Sequence, residues 1–134
     1  MKLQVRKFLF FYGPLFFWMA MIFLLSSIPG SGSQEYNFLA FLERKSAHLV
    51  EYFILFILCI RVLWLHFREE DEHILAWGIL ASFVYAVFDE IHQLFVFGRS
   101  GRVLDVGIDL SGIILGAIIV WLYEKRRKRI FHRQ

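Results

Sequence analysis

The chain has 134 residues, of which 58% are hydrophobic and 20% charged, and its mean hydropathy is +0.56. This composition is too apolar for an ordinary soluble domain, and the length permits one domain, over residues 1–134, and no second one. The net charge of +3 does not indicate nucleic-acid binding, because the excess positive charge lies in a basic tail at 124–134 that follows an apolar segment. The single cysteine, Cys59, excludes an intrachain disulfide. We therefore expect a membrane protein whose partner is the lipid bilayer.

Four apolar segments predict membrane-spanning helices. They cover residues 8–28, 47–65, 74–97 and 106–123. Each is close to the roughly 20 residues that cross a bilayer as a helix. Helices are required because lipid offers no partner to an unpaired backbone N–H or C=O group. The sequence therefore predicts an all-α membrane protein, a bundle of four transmembrane helices.

The first segment follows a basic start but is longer than the apolar run of a signal peptide, so we expect a retained span. Lysine and arginine residues in the loops then predict the orientation. With the N-terminus inside, ten of these residues lie on the inner side and four on the outer side. The positive-inside rule therefore places both termini in the cytoplasm, N-in and C-in.

The second predicted helix begins at the outer side with polar residues on one face. His48, Glu51, Tyr52 and Leu55 follow the i, i+3, i+4, i+7 spacing of a single face. Lys45 comes just before this span. The spacing predicts that this polar face turns towards the other helices.

The third predicted helix carries polar residues near its outer end. They are Asp89, Glu90, His92 and Gln93, with Glu90 about 100° away from the face of Asp89. Carboxylates inside a span are costly and need partners, water or a cation. An alternative is that the span ends near Phe88 and that the segment after it is interfacial.

The fourth predicted helix begins at the outer side with Asp105 and Asp109. Gly112 and Gly116 share their face and form a small-xxx-small pattern, which lets another helix approach closely. The acids and the close-packing glycines therefore point the same way, into the bundle.

Three polar sets reach the outer leaflet from separate helices, which predicts one shared site, since ionisable groups inside spans usually mark function. Catalytic candidates are His48, Glu51, Asp89, Glu90, His92 and Gln93. Candidates for binding an anionic ligand such as phosphate are Lys45 and, in the short turn after the third helix, Arg99 and Arg102. Candidates for holding a divalent cation through carboxylate oxygens are Glu51, Asp89, Asp105 and Asp109.

Several pieces of the chain, in order and spacing, resemble the VanZ-like family of bacterial membrane proteins. The pieces are 45–52 (KSAHLVEY), 89–95 (DEIHQLF), Gly98-Arg99, and 105–112 (DVGIDLSG) with Gly116. The resemblance covers roughly residues 10 to 123. Two positions depart from the family pattern: Phe97 stands where the family often has proline, and Asp109 stands where many members have asparagine.

The resemblance implies a multi-pass protein of the bacterial plasma membrane and cell envelope. The family name also implies an association with antibiotic resistance, specifically low-level resistance to the glycopeptide teicoplanin, which belongs to some members. The family brings no established catalytic residues to carry over.

Three functions fit this pattern. The first is an envelope protein that binds or processes a lipid-linked or anionic envelope molecule at the outer leaflet; in a reaction there, His48 or His92 would be the acid or base and a metal-bridged phosphate the substrate. The second is a small proton- or ion-coupled transporter, which would require an oligomer because four short helices leave little room for a pore.

The third is a structural protein whose polar cluster only fixes helix packing, through pairs such as His48 with Glu51, and Arg99 with Asp105 or Asp109. The sequence alone assigns no reaction.

Overall fold

The computed structural model describes residues 2–30, 38–67, 73–99 and 102–131. These residues form four helices and no strand. The helices are α1 (Lys2–Ser26), α2 (Phe38–His66), α3 (Ile74–Gln93) and α4 (Val103–Phe131). Each contains a segment long and apolar enough to cross a membrane. The predicted all-α fold with four transmembrane helices is therefore confirmed, whereas the orientation of the termini stays a prediction.

The helices are not limited to the predicted spans. Helix α2 begins at Phe38, before its predicted span. Helix α4 continues into the basic tail as far as Phe131, because lysine and arginine are good helix formers. Helix α3 passes Phe88 and ends at Gln93, before the predicted end of its span. Residues 94–96 then close tighter turns, in which each backbone N–H donates to the carbonyl three residues earlier. The carboxylates of α3 are thus in its last helical turns.

Helices α2 and α4 lie side by side and run in the same direction, and their glycines bring the backbones together. A Cβ at Gly112 would overlap the carbonyl oxygen of Leu49 and lie 3.2 Å from the backbone nitrogen of Phe53. One turn later, a Cβ at Gly116 would lie 2.7 Å from Cδ1 of the Phe56 ring. The close approach that the small-xxx-small pattern predicts is therefore present.

The core of the bundle is apolar and narrow. Tyr52, Phe56 and Ile60 of α2 are buried against Ala86 of α3 and Ile113 of α4. The outward faces of the same helices expose large apolar side chains, as expected for surfaces that contact lipid. The inward stripe of α2 places Tyr52 just below the polar residues His48 and Glu51 of the same face.

Helix α1 lies at the edge of the bundle and is held by specific hydrogen bonds. Trp18 Nε1 donates to the carbonyl oxygen of Glu51 over 2.9 Å. The Tyr85 hydroxyl donates to the carbonyl oxygen of Met19 over 2.6 Å. Such bonds help to hold α1 in place, because there is no hydrophobic driving force between apolar helices that are surrounded by apolar lipid.

The end of α1 is fastened to the turn after α3 by two glycines. The Gly30 N–H donates to the carbonyl oxygen of Phe97 over 3.0 Å. Gly98 has a φ of +72°, and a Cβ on either glycine would overlap the backbone of the other. Only residues without a side chain permit both the positive φ and this contact. These contacts hold the turn after α3 close to the N-terminal parts of α2 and α4.

Candidate functional site

The polar residues meet where α2 and α4 begin and α3 ends, a region we call the polar end of the bundle. The Lys45 ammonium, in the third turn of α2, and the Asp105 carboxylate, in the first turn of α4, form an ion pair. One turn further along, His48 Nδ1 lies 3.0 Å from Asp109 Oδ1. The parallel packing of α2 against α4 therefore places successive polar turns of the two helices opposite each other.

Three carboxylates are deeply buried at the polar end. Asp89, Glu90 and Asp109 are 2%, 5% and 0% exposed. Each has one oxygen with a hydrogen-bond partner: Gln93 Nε2 donates to Asp89 Oδ2 over 3.0 Å, the Arg102 backbone N–H to Glu90 Oε2 over 2.9 Å, and His48 lies against Asp109 Oδ1. The second oxygen of each carboxylate is buried and has no partner among the described residues. Buried polar atoms of this kind are rare and require an explanation.

Glu90 also links two helices. Its side chain accepts a hydrogen bond from the backbone of Arg102, which directly precedes the first residue of α4. The first N–H groups of a helix have no partner within it. The Glu90 carboxylate of α3 therefore accepts a hydrogen bond from an N–H group at the beginning of α4, where the helix dipole also favours negative charge.

A cavity of about 120 Å³ opens above these carboxylates. Four of the side chains lining it are basic and one is acidic. The lining residues are Arg44, Lys45, His48, Gln93, Gly98, Arg99, Arg102 and Asp105. The site thus has a basic entrance, formed by the cavity lining. The three buried carboxylates do not line the cavity, but each is hydrogen-bonded to a residue that does: His48, Gln93 or Arg102.

The structure brings some predicted site residues together and keeps others apart. The ligand atoms of His48, Glu90 and Asp109 all lie within 4.8 Å of one another. The four carboxylates predicted to hold a cation do not form such a group within the described parts of the chain, where Asp105 instead pairs with Lys45. Glu51 is half-buried on the face of His48.

His92 belongs to a different contact. Its Nε2 lies 2.9 Å from the Ser27 hydroxyl, and its ring stacks on Phe23 with the centroids 4.4 Å apart. Both partners are near the end of α1, so His92 joins α3 to α1 instead of facing α4.

The ion pairs differ from those expected for a structural cluster. His48 pairs with Asp109 of α4 instead of Glu51 of its own helix. The acids Asp105 and Asp109 pair with residues of α2 instead of Arg99. Spacing along one helix does not show which neighbouring helix lies opposite, and this explains the difference.

Sequence reasoning missed Arg44 as a lining residue. It lies one residue before Lys45 and four before His48, so i, i+4 spacing places it on the side of the helix that carries the histidine. That spacing was a usable signal.

Arg99 lines the cavity, yet its guanidinium is engaged with the backbone of α1. Its Nε donates to the carbonyl oxygen of Ile28 over 3.0 Å, and its Nη2 donates to that of Leu25 over 3.1 Å. These carbonyls are at the end of α1 and just beyond it, where the helix leaves such groups without internal partners. Arg99 therefore holds the turn in place.

We expect Arg99→Lys to lower the free energy of unfolding by about 0.5–1.5 kcal/mol, because an ammonium cannot reproduce the forked pair of hydrogen bonds. Denaturation of the purified chain in detergent micelles, followed by tryptophan fluorescence, measures this change. Arg126→Lys on the exposed end of α4 is the control and should change stability little. Equal stabilities of the two variants would show that Arg99 does not act through its fork geometry.

Comparison with known proteins identifies the family. A family model described as VanZ/LLP1 matches residues 10–124, which is most of the chain. A search of curated proteins and a search of solved structures found no significant match. The matched range contains α2, α3, the turn with Gly98 and Arg99, and α4 as far as residue 124, so it includes the polar end. The four apolar helices and this match together show that the chain is a multi-pass membrane protein that belongs to the VanZ/LLP1 family.

Proposed function

We propose that this protein binds the phosphate group of a lipid-linked envelope molecule in the cavity at its polar end. The observation that supports the proposal best is the charge of the lining of this cavity of about 120 Å³, which contains Arg44 and Arg102 beside Lys45, which pairs with Asp105, and Arg99, which binds the end of α1. Arginine and lysine are the usual partners of phosphate oxygens, and such charge-assisted bonds are among the strongest in proteins. The space is enough for several water molecules and therefore for a phosphate group.

The position of the cavity supports a lipid ligand. It lies at the ends of three membrane-spanning helices, where the headgroups of a bilayer are found. Apolar side chains such as Phe95, Phe97 and Val103, all more than 80% exposed, stand beside the cavity. A lipid can therefore place its chain against this apolar rim while its phosphate enters the basic entrance.

The proposal includes an orientation. The basic tail is at the other end of α4, about 30 to 40 Å from the first residue of the helix at 1.5 Å per residue. With the tail in the cytoplasm, as the positive-inside rule predicts, the cavity opens at the outer leaflet of the bacterial plasma membrane. A part in the response to glycopeptide antibiotics, which the VanZ name implies for some members, would fit a protein that binds an envelope lipid at this surface.

The test measures binding of a polyprenyl monophosphate to the purified full chain by native mass spectrometry, with inorganic phosphate and phosphatidylcholine as comparison probes. We expect one polyprenyl phosphate per chain. The variant Arg44→Gln with Arg102→Gln should weaken this binding at least about tenfold, because each 1.4 kcal/mol of lost interaction is a factor of ten. The backbone contact of Arg102 with Glu90 survives this substitution, since it uses the main-chain nitrogen.

The matched control removes the same charge from the far end of the molecule, through Arg126→Gln with Lys128→Gln. Its affinity should stay unchanged. An equal loss in both variants would mean that the chain attracts anions through its overall charge and that the cavity is not the site. Equal affinity for inorganic phosphate and for the polyprenyl phosphate would show that the cavity binds phosphate but that the lipid chain contributes nothing. The ligand would then not be a lipid.

A further inference from the structure

The cluster beneath the cavity has the composition of a metal site. His48 of α2, Glu90 of α3 and Asp109 of α4 each offer one ligand atom, and these atoms lie within 4.8 Å of one another. Around an ion with bonds of about 2.1 Å, ligands are about 3.0 to 3.4 Å apart. The His48 and Asp109 atoms are already 3.0 Å apart. A small movement of Glu90 would therefore complete the geometry.

The unpartnered oxygens provide an independent reason to expect an ion. Glu90 Oε1 and Asp109 Oδ2 are buried and without a hydrogen-bond partner in the described structure, although their residues are at least nine-tenths buried. Burying an ionised carboxylate without compensation is costly, so buried charges are normally paired or bound to metals. Both oxygens belong to residues of the three-ligand group, which is where an ion would satisfy them.

The balance of charge points the same way. The buried carboxylates Asp89, Glu90 and Asp109 have His48 as a neighbouring base, while Lys45 forms an ion pair with Asp105. One imidazole carries at most a single positive charge against three carboxylates. A divalent cation in place of the proton between His48 and Asp109 would change the formal charge of the cluster from −2 to −1, which is closer to neutrality.

The mixed donor set indicates the class of ion. Mg²⁺ and Ca²⁺ prefer oxygen ligands only, whereas imidazole nitrogen suits zinc and neighbouring transition metals, and carboxylates are also shared by Mn²⁺. Three protein ligands leave at least one coordination position open. His48 also lines the cavity, so an open position would border the space beneath the basic entrance.

We propose that His48, Glu90 and Asp109 form a site for a divalent transition metal of the Zn²⁺ or Mn²⁺ class. This inference goes beyond the proposed lipid binding and does not depend on it. Three ligands from three helices would also tie α2, α3 and α4 together at the polar end.

The test uses the purified full chain, stripped with a chelator and free of added lipid. Titration with Mn²⁺, followed by its electron paramagnetic resonance signal, measures binding directly, and competition with Zn²⁺ and Mg²⁺ reports selectivity. We expect one Mn²⁺ per chain, displaced by Zn²⁺ and not by a similar concentration of Mg²⁺. Asp109→Asn and Glu90→Gln should each weaken binding at least tenfold. Glu90→Gln keeps an oxygen that can accept from Arg102, so it tests the site even where Asp109→Asn does not fold.

Glu51→Gln is the matched control, because it neutralises a nearby carboxylate on the face of His48 that is outside the three-ligand group. Its affinity for Mn²⁺ should fall much less than that of Glu90→Gln, since Glu51 would act only through its charge and not as a ligand. Absence of stoichiometric binding, or binding that survives Glu90→Gln, would overturn the proposal. A loss on Glu51→Gln as large as on Glu90→Gln would overturn this ligand set. When the polyprenyl phosphate binding measurement is made in the presence of chelator, and the metal titration is made without lipid, each proposal can fail separately.

Discussion

Replacing Gly112 by alanine should lower the free energy of unfolding by about 1–3 kcal/mol, the range for overpacked sites. The added Cβ would overlap the carbonyl oxygen of Leu49 and approach the backbone of Phe53. These neighbours are main-chain atoms of a helix and cannot rotate away as a flexible side chain can. Helices α2 and α4 must therefore separate, which also loosens the pair of His48 with Asp109 one turn away.

The control is Gly107→Ala on the same helix, where a Cβ would meet nothing within 4 Å. This change should leave stability the same or raise it slightly, since alanine is the better helix former. Denaturation in micelles of defined composition, followed by tryptophan fluorescence, measures both variants. If Gly112→Ala proves as stable as Gly107→Ala, α2 and α4 are not in the close contact described here.

Replacing His48 by leucine should lower the free energy of unfolding by about 3–5 kcal/mol in the presence of chelator, the range for breaking a buried ion pair. Asp109, with none of its side chain exposed, would lose the partner of Oδ1, while Oδ2 already has none among the described residues. The charge of Asp109 would then be left buried without its hydrogen-bonded partner, close to the buried carboxylate of Glu90.

The decisive measurement is the same substitution in a chain that already carries Asp109→Asn. Asparagine keeps the volume and removes the charge, so His48→Leu should cost about 2 kcal/mol less in this background, within the usual range of coupling between contacting residues. The double variant should be more stable than His48→Leu alone. Equal costs in the two backgrounds would refute the charged pair.

His92→Leu serves as the histidine control. His92 contacts the Ser27 hydroxyl and the Phe23 ring, both uncharged. Its loss should cost about 0.5–1.5 kcal/mol, as for one ordinary hydrogen bond, and should not depend on position 109. A cost that changes with Asp109→Asn would show that the two histidines act on a common network.

The two experiments also bear on the idea that the polar cluster only fixes helix packing. A strong coupling between His48 and Asp109 shows that the pair holds α2 against α4, which a purely structural cluster requires. It does not by itself oppose a site, because a metal or phosphate site also needs its residues held in place. Folded Glu90→Gln protein that has lost Mn²⁺ binding would separate the two roles.

Much of the architecture could be predicted from periodicity and apolar length. The four spans followed from runs close to the thickness of a bilayer, and the inward faces followed from i, i+3, i+4 spacing at His48 and Asp109. The glycine pattern of α4 indicated a close helix contact. The helix ends were harder to predict: α4 continues into the basic tail as far as Phe131, and α3 ends at Gln93. Hydropathy shows which residues suit lipid and does not show where the helical hydrogen bonds stop.

The partners within the site could not be predicted in the same way. Spacing favoured Glu51 as the partner of His48, since both are on α2, and grouped four carboxylates as a cation site. The structure instead pairs His48 with Asp109 and places Glu90 in their group, although Glu90 is turned away from the face of Asp89. How α3 is rotated about its own axis decides which of its residues face α4. No local sequence pattern shows this rotation.

The sequence by itself determined that this chain is a bundle of membrane-spanning helices and that the acidic residues inside its spans gather at one end. It did so because the hydropathy of each residue, which is a local property, shows whether that residue suits a membrane span. Only the tertiary structure decided which helix stands opposite which: α2 beside α4 through Gly112, Arg99 against the end of α1, and His48, Glu90 and Asp109 around one point. Those choices depend on distances of a few ångströms between separate helices, and therefore on the packing of all four together.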